Sequence, residues 1–283
     1  MPGTLFVVAT PIGNLEDLTF RALRTLREVD VIAAEDTRRT AKLLAHYEIR
    51  KPLVSLREHN EAQETPRLLD QLSAGKNIAL VSDAGTPTIA DPGARLVRSA
   101  HERQLPVVPI PGPSAVITAL SVSGFSGSQF VFLGFPPSSG LARSRWFEEL
   151  AAEPRVSVFF EAPHRIRRTL SELRSYLGNK QILIARELTK RFENLVIAQT
   201  NGGVETKEIG EFTVVVSERP IEPELELAKA DQGADLVGRL TDNSAFDIDG
   251  AVSIASKVTG ADDREIRKVI KKRKILADRQ KQP

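Results

Sequence analysis

The sequence predicts an α/β protein of two lobes, with a mainly parallel first sheet, a mixed second sheet and a small helical C-terminal segment. Three observations predict it. Short apolar, β-branched runs recur along residues 1–219, and amphipathic helical patterns separate the early ones. Beyond about residue 110 that alternation fades: ILIARE, NLVIAQT and EFTVVVSE follow one another with little helix between, as antiparallel neighbours do. Finally, charge reverses within the tail. Residues 221–263 hold ten acidic against three basic residues, a balance of −7, whereas 264–283 hold nine basic against two acidic, a balance of +7.

Taken in order, the first run spans 5–9 and is stopped by Pro11, which cannot donate to a strand ladder, while Gly13 permits a tight turn. Leu15, Leu18, Ala22, Leu26 and Val29 then recur at spacings of three and four. They predict a helix capped by Asn14, with Asp17 near its positive end. Strands follow at 29–34, 78–81 and 107–110, interleaved with helices over 38–46, 61–74 and 94–103. Such alternation implies a largely parallel sheet covered by helices on both faces. A boundary at 111–113 gives domains 1–112 and 113–220. The second has strands at 130–133, 156–160, 182–185, 195–198 and 212–216, and helices at 114–122, 143–151 and 165–177. Pro220 and Pro223 separate this body from residues 221–283, read as an acidic linker and a small basic helical tail. In the tail, Val252, Ala255 and Val258 form one apolar stripe ended by Gly260. Ile266, Val269, Ile270 and Leu276 form the next, so a helix-turn-helix-like module is expected.

Composition narrows the chemistry. The absence of cysteine excludes disulfides, thiolate nucleophiles and thiolate metal sites, and four scattered histidines give no ligand spacing, so no metal is expected. The opening MPGTLFVVAT has no basic leader, and no run approaches the roughly 18 apolar residues of a membrane span. A cytoplasmic protein without membrane contact is the expectation.

Several strands end in Gly, Pro or small polar residues, which leaves backbone groups free for a small ligand and places a cleft along the strand carboxyl ends. ATPIGNL is neither a P-loop nor GxGxxG. SDAGTP allows close backbone approach at Ala84–Gly85, and PGPSA opens a helix at Ser114. In AEDTRRT, Glu35, Asp36, Arg38 and Arg39 follow an apolar strand, where charge is costly unless it reaches water or a partner. An acid there would grip ribose hydroxyls in a dinucleotide fold, or simply form an ion-paired loop. His59, Glu161, His164, Arg165, Arg186, Glu187, Lys190 and Arg191 repeat the theme near other strand ends. Together these clusters describe a polar cleft for an anionic polymer.

The segments ATPIGNLEDLTFRAL, AAEDTRRT, VSDAGTPTIADPG, PIPGPSAVITAL, EAPHRI and ARELTKRFE, in this order over residues 3–218, closely resemble the ribosomal RNA small subunit methyltransferase I family of the tetrapyrrole (corrin/porphyrin) methylase superfamily. The resemblance implies two α/β domains with S-adenosylmethionine in the cleft between them, usually in a homodimer. It further implies 2′-O-methylation of a decoding-centre cytidine in 16S rRNA, either free or in the assembled small subunit. It maps cofactor contacts onto Pro11, Gly13, Asp83, Ala84, Gly85, Thr86, Ile89, Ser114, Ala115, Phe160 and Leu188. That frees AEDTR to face the RNA or the reacting oxygen. Candidate proton acceptors or stabilising groups are Asp36, Lys190 and Glu187, with His59 a further one; Lys190 would need a lowered pKa. Arg38, Arg165, Arg186 and Arg191 would hold phosphates, with His59 and His164 beside the RNA. The tail matches the family only in being small, helical and basic. A superfamily enzyme acting on a corrinoid or a protein, and a non-catalytic RNA-binding assembly factor, are the alternatives.

Overall fold

β1 (Leu5–Val8) lies between β4 (Ile78–Val81) and β5 (Val107–Ile110), while β2 (Val31–Ala34) joins β4 to the edge strand β3 (Leu53–Ser55). All neighbours are parallel, in the order β3-β2-β4-β1-β5. The coordinates are a computed structural model that describes residues 1–204, 206–218, 223–242 and 246–279. Side chains alternate across this sheet, so each face has its own core. Leu5, Ile78 and Leu80 meet Leu68, Leu69 and Leu72 of α3 (Glu61–Ser73) and Leu96 of α4 (Ala94–Glu102). Val8, Ile32 and Ala79 meet Ala22 and Leu26 of α1 (Phe20–Glu28) and Leu44 of α2 (Thr37–His46). Each fully buried Leu contributes about 1.5–3 kcal/mol by leaving water.

This layering locates the site. The chain leaves β1 toward the α1 face and leaves the adjacent β4 toward the α4 face. Where neighbouring strands send their connections to opposite faces, a crevice opens beyond their carboxyl ends.

The second sheet has the order β6-β7-β10-β8-β9, from β6 (Phe130–Phe132), β7 (Val156–Glu161), β10 (Phe212–Val216), β8 (Gln181–Arg186) and β9 (Asn194–Gln199). Only β6 and β7 pair in parallel. Along β8, Leu183 and Ala185 face α5 (Ala115–Ser123), whereas Ile182 and Ile184 face α6 (Gly140–Ala152) and α7 (Ile166–Leu177). Both sheets lie within the unit Met1–Arg219.

Three local differences from the sequence reading have physical causes. Asn14 caps only a short 3-10 turn, Leu15–Asp17, because Leu18 is extended (φ −66°, ψ 120°). Thr19 then caps α1 anew by accepting from the Ala22 N–H at 3.1 Å. β3 is a three-residue strand too short to give a periodic signal. The segment read as an acidic linker is largely a 20-residue helix, α8 (Pro223–Asp242).

The second unit contains α8, α9 (Ile248–Thr259) and α10 (Asp263–Arg279). Ala230, Ala234, Val237, Val252, Ala255, Ile266 and Val269 form its core. Val258 is not part of the stripe: it is 69% exposed, and Ala251 is buried instead. Arg273 of α10 pairs with Asp231 (3.0 Å) and Asp235 (2.6 Å) of α8, so part of the charge reversal is an interhelical match. Pro220 and the side chain of Leu276 lie outside the described residues.

Candidate active site

The loops after β1, β4 and β5 are tied to one another before any ligand is considered. Thr10 and Gly85 exchange backbone hydrogen bonds, each 2.9 Å, in an isolated bridge, and the Thr10 hydroxyl donates to Ser82 O. Gly85 has φ +81°, which glycine adopts without steric penalty. The Thr86 hydroxyl donates to Pro113 O at 3.2 Å, joining the third loop, and Ser114 then caps α5. Between these loops and the second sheet lies a cavity of about 340 Å³, within the size range of small-molecule sites.

Eight of the residues mapped onto a cofactor line this cavity: Ala84, Gly85, Thr86, Ile89, Ser114, Ala115, Phe160 and Leu188. Pro11, Gly13 and Asp83 do not. Pro11 lies three residues beyond the end of β1, directly after the Thr10–Gly85 bridge. Gly13 packs on the turn after β8: a Cβ there would stand 2.4 Å from Lys190 Cγ and 2.8 Å from Leu188 O. The next residue continues this contact, its N–H donating to Thr189 Oγ1 at 3.0 Å. Asp83 ties the loops after β2 and β4 together. Its Oδ1 accepts from the Asp36 N–H (2.9 Å), its Oδ2 pairs with Arg39 (3.4 Å), and its own N–H donates to Glu35 (3.2 Å). Further lining comes from Glu161, which the sequence placed in a polar cleft without a cofactor role, and from Ile12, Asp91, Phe135, Glu211 and Thr213, to which it assigned no site role.

Two wall loops hold non-glycine residues in the left-handed region: Thr88 (φ +71°) and Ala90 (φ +67°) after β4, and Glu187 (φ +55°) and Thr189 (φ +64°) after β8. Each such residue costs on the order of 1 kcal/mol or more, and such strain concentrates at functional sites.

The electrostatics sort the candidate acids and bases. Asp36 sits at the cap of α2; the Arg38 N–H at 2.8 Å and its guanidinium hold the carboxyl below the usual range. Burial pushes Glu187 up, but hydrogen bonds from Lys190 Nζ (2.8 Å) and the Glu211 N–H (3.0 Å) outweigh it and leave the carboxyl lowered. For Lys190, burial alone would lower the pKa; the bonds to Glu187 and Glu211 (2.9 Å) win and raise it. The condition for Lys190 to accept a proton is therefore not met. Glu35 is raised, chiefly by burial, against the hydrogen bond it accepts from the Asp83 N–H; the Asp83 carboxylate adds a smaller upward push.

Among the groups expected to hold phosphates or to lie beside the RNA, Arg38, His59, His164 and Arg191 are exposed and Arg186 is half-buried. Arg165 differs. It points inward, 19% exposed, bonded to Glu161 at 2.7 Å and to Pro136 O at 3.1 Å, so its charge is already matched. Glu161 is fully buried and also accepts from the Thr169 hydroxyl (2.5 Å) and the Ala162 N–H (2.7 Å). Among the described residues no group of three His, Asp or Glu could hold a metal ion.

The family model for tetrapyrrole (corrin/porphyrin) methylases matches residues 4–201. The chain is 44% identical over 267 residues to the ribosomal RNA small subunit methyltransferase I of Xylella fastidiosa, covering 92% of this chain and 96% of that protein. It is 47% identical to the protein of that name from Halalkalibacterium halodurans, covering 78% and 79%. Among solved structures, a diphthine synthase superposes with a TM-score of 0.61 at 13% identity, covering 76% of this chain and 90% of the other; at that identity the likeness concerns the fold.

Proposed function

The chain belongs to the tetrapyrrole (corrin/porphyrin) methylase family and, within it, to the ribosomal RNA small subunit methyltransferase I group; from this we infer that it is an S-adenosylmethionine-dependent 2′-O-methyltransferase acting on a cytidine of small-subunit rRNA. The observation that carries the reading is 44% identity over nearly the full length of a protein of that name, in a chain whose strand ends border a cavity. The residues present fit the cofactor. The cavity is lined by three carboxylates, Asp91, Glu161 and Glu211, and by no Lys, Arg or His among the described residues. A cationic sulfonium suits the Asp91 side of that wall, where no cation among the described residues pairs with the carboxylate, and Ile12, Ile89, Phe160 and Leu188 offer apolar surface to its less polar parts.

Bound there, S-adenosylmethionine supplies a methyl group that is electrophilic without a metal or a covalent enzyme intermediate. The protein's contribution is positioning, which in well-oriented systems lowers a barrier by up to about 7–11 kcal/mol. We assign Ala84–Thr86, Ile89, Ser114–Ala115, Phe160 and Leu188 to holding the donor. Gly13 and Asp83 act behind them, by seating the turn after β8 and by tying the loops after β2 and β4. Lys190, kept charged by Glu187 and Glu211, fixes that same turn. Arg38, Arg186 and Arg191, with His59 and His164, are assigned to the RNA, and the exposed cations Lys271, Lys272 and Lys274 of α10 to its backbone.

The same reading includes a division of the body at 112/113, a cytoplasmic location and a homodimer. No helix among the described residues is long and apolar enough to cross a membrane. Exposed Ile117 and Val122 on α5, with Leu195 and Ile197 on the edge strand β9, offer apolar surface for a second copy.

The test uses small ribosomal subunits, and separately free rRNA, from a strain lacking the modification. Incubated with the protein and methyl-labelled S-adenosylmethionine, one of these substrates gains label in a single 2′-O-methylcytidine, mapped by mass spectrometry. Label on neither, or label on a corrinoid or protein instead, contradicts the reading.

A further inference from the structure

Transfer of a methyl group to a hydroxyl releases a proton, and the candidate acceptors named by sequence are otherwise engaged. Asp36 caps α2, Glu187 is held by Lys190, and Lys190 is itself protonated. His59 is exposed in the turn before α3 and does not line the cavity. Of the three carboxylates that do, Glu161 is paired with Arg165 at 2.7 Å and Glu211 with Lys190 at 2.9 Å. Asp91 alone has no cationic partner among the described residues. Resting on the methyl-transfer reading above, we propose that Asp91 is the proton acceptor for the ribose hydroxyl, its unpaired carboxylate standing in the wall of the donor cavity.

The surroundings of Asp91 suit that task. The loop on either side is fixed: Thr88 and Ala90 are held in left-handed conformations, Pro92 follows, and Gly93 has φ +118°. Glu61 of α3 clamps the far end, its Oε1 accepting from the Gly93 N–H (3.1 Å) and the Arg95 N–H (2.8 Å). The charged groups facing Asp91 from the first lobe are Glu35 and Asp83, with Arg39 on Asp83 and Arg57 bonded to Glu35 O. From the second lobe, Glu161 and Glu211 border the same cavity, Glu161 paired with Arg165 and Glu211 with Lys190, which it shares with Glu187. Burial and the negative charge of Glu35, with a smaller push from Asp83, raise the Asp91 carboxyl to about 6 against the pull of the Ser82 hydroxyl. A proton acceptor works best when its pKa lies near the working pH.

The step balances. The ribose O–H bond breaks and an O–C bond forms to the methyl of the sulfonium donor. The C–S bond breaks with its electron pair remaining on sulfur, which becomes a neutral thioether. The proton passes to the Asp91 carboxylate and from there to water, which the half-buried side chain can reach.

Single-turnover methylation of the substrate, measured from pH 5 to 8 for the wild type, Asp91→Asn and Asp91→Glu, tests this beside calorimetry with S-adenosylhomocysteine. The wild-type rate is expected to rise with pH through about 6. Asp91→Asn should slow transfer by about 10²–10⁴-fold and lose that acidic limb, while affinity for S-adenosylhomocysteine stays within about threefold. Asp91→Glu retains a carboxylate and should retain the limb at a lower rate, which preserves the test if the Asn variant does not fold. An Asn variant within about threefold of the wild-type rate overturns the proposal. So does a loss of about tenfold or more in S-adenosylhomocysteine affinity, which would assign the carboxylate to holding the donor. A wild type that transfers no methyl to rRNA defeats the underlying reading, and this inference with it; an active wild type beside an equally active Asn variant defeats this inference alone.

Discussion

Gly13 shows how one residue without a side chain sets the site. It lies outside the cavity, yet a methyl at its Cα would strike Lys190, Thr189 and Leu188 O, all closer than 3 Å. Gly13→Ala is therefore expected to push the turn after β8 outward. We predict a loss of about 1–3 kcal/mol in denaturant unfolding, with weaker S-adenosylhomocysteine binding by calorimetry, since Leu188 moves with that turn. Unchanged values on both counts would contradict the packing role. The acids of the first lobe give a second prediction at this scale. Asp91 and Glu35 have folded pKa values above their ordinary ones, so the folded state binds more protons than the unfolded chain, for Asp91 between about pH 4 and 6. Their contribution to stability is thus fully present below the unfolded pKa and lost as pH rises through the folded one. Asp91→Asn should flatten this part of the stability–pH curve and be no less stable than the wild type at pH 7.5. A melting temperature that falls on substitution at that pH would contradict it.

At the scale of the element, the loops were legible and the partners were not. Ala84–Thr86 and Ser114 are readable because glycine and proline break a buried strand and mark its carboxyl end. Asp91 follows the same strand, but nothing in its local sequence separates a cavity-lining acid from a solvated turn. Thr213 lies within β10, where period-two alternation gives a face but not which end meets a cavity. Arg165 was expected on the RNA because the sequence displays its charge without showing that Glu161 would be buried beneath it. α8 reads as a linker because Pro220, Pro223 and an acidic composition mask its helical face; within it Gly233 admits Ile266, since a Cβ there would be 2.8 Å away. In α10, Arg273 is satisfied by α8, which leaves Lys271, Lys272 and Lys274 as exposed cations. Replacing these three with Ala is expected to reduce the slope of log affinity against log salt, for small subunits, by about two to three. S-adenosylhomocysteine affinity should not change. An unaltered slope would remove the tail from the RNA-binding surface.

Across the molecule, topology creates the site. A parallel sheet whose β1 and β4 connections leave toward opposite faces opens a crevice, and a second, mixed sheet supplies the other wall of the cavity. Fold class was readable from the fading strand–helix alternation; the closing of both walls around one volume was not, because it depends on contacts such as Gly13 on Leu188–Lys190 that have no local signature. The most direct test of the central claim is a crystal structure with S-adenosylhomocysteine. Ligand density is expected in the cavity bounded by Ile12, Gly85, Ser114, Phe160 and Leu188, with the sulfur on the side of Asp91. Density elsewhere on the protein, with this cavity left empty, would contradict it.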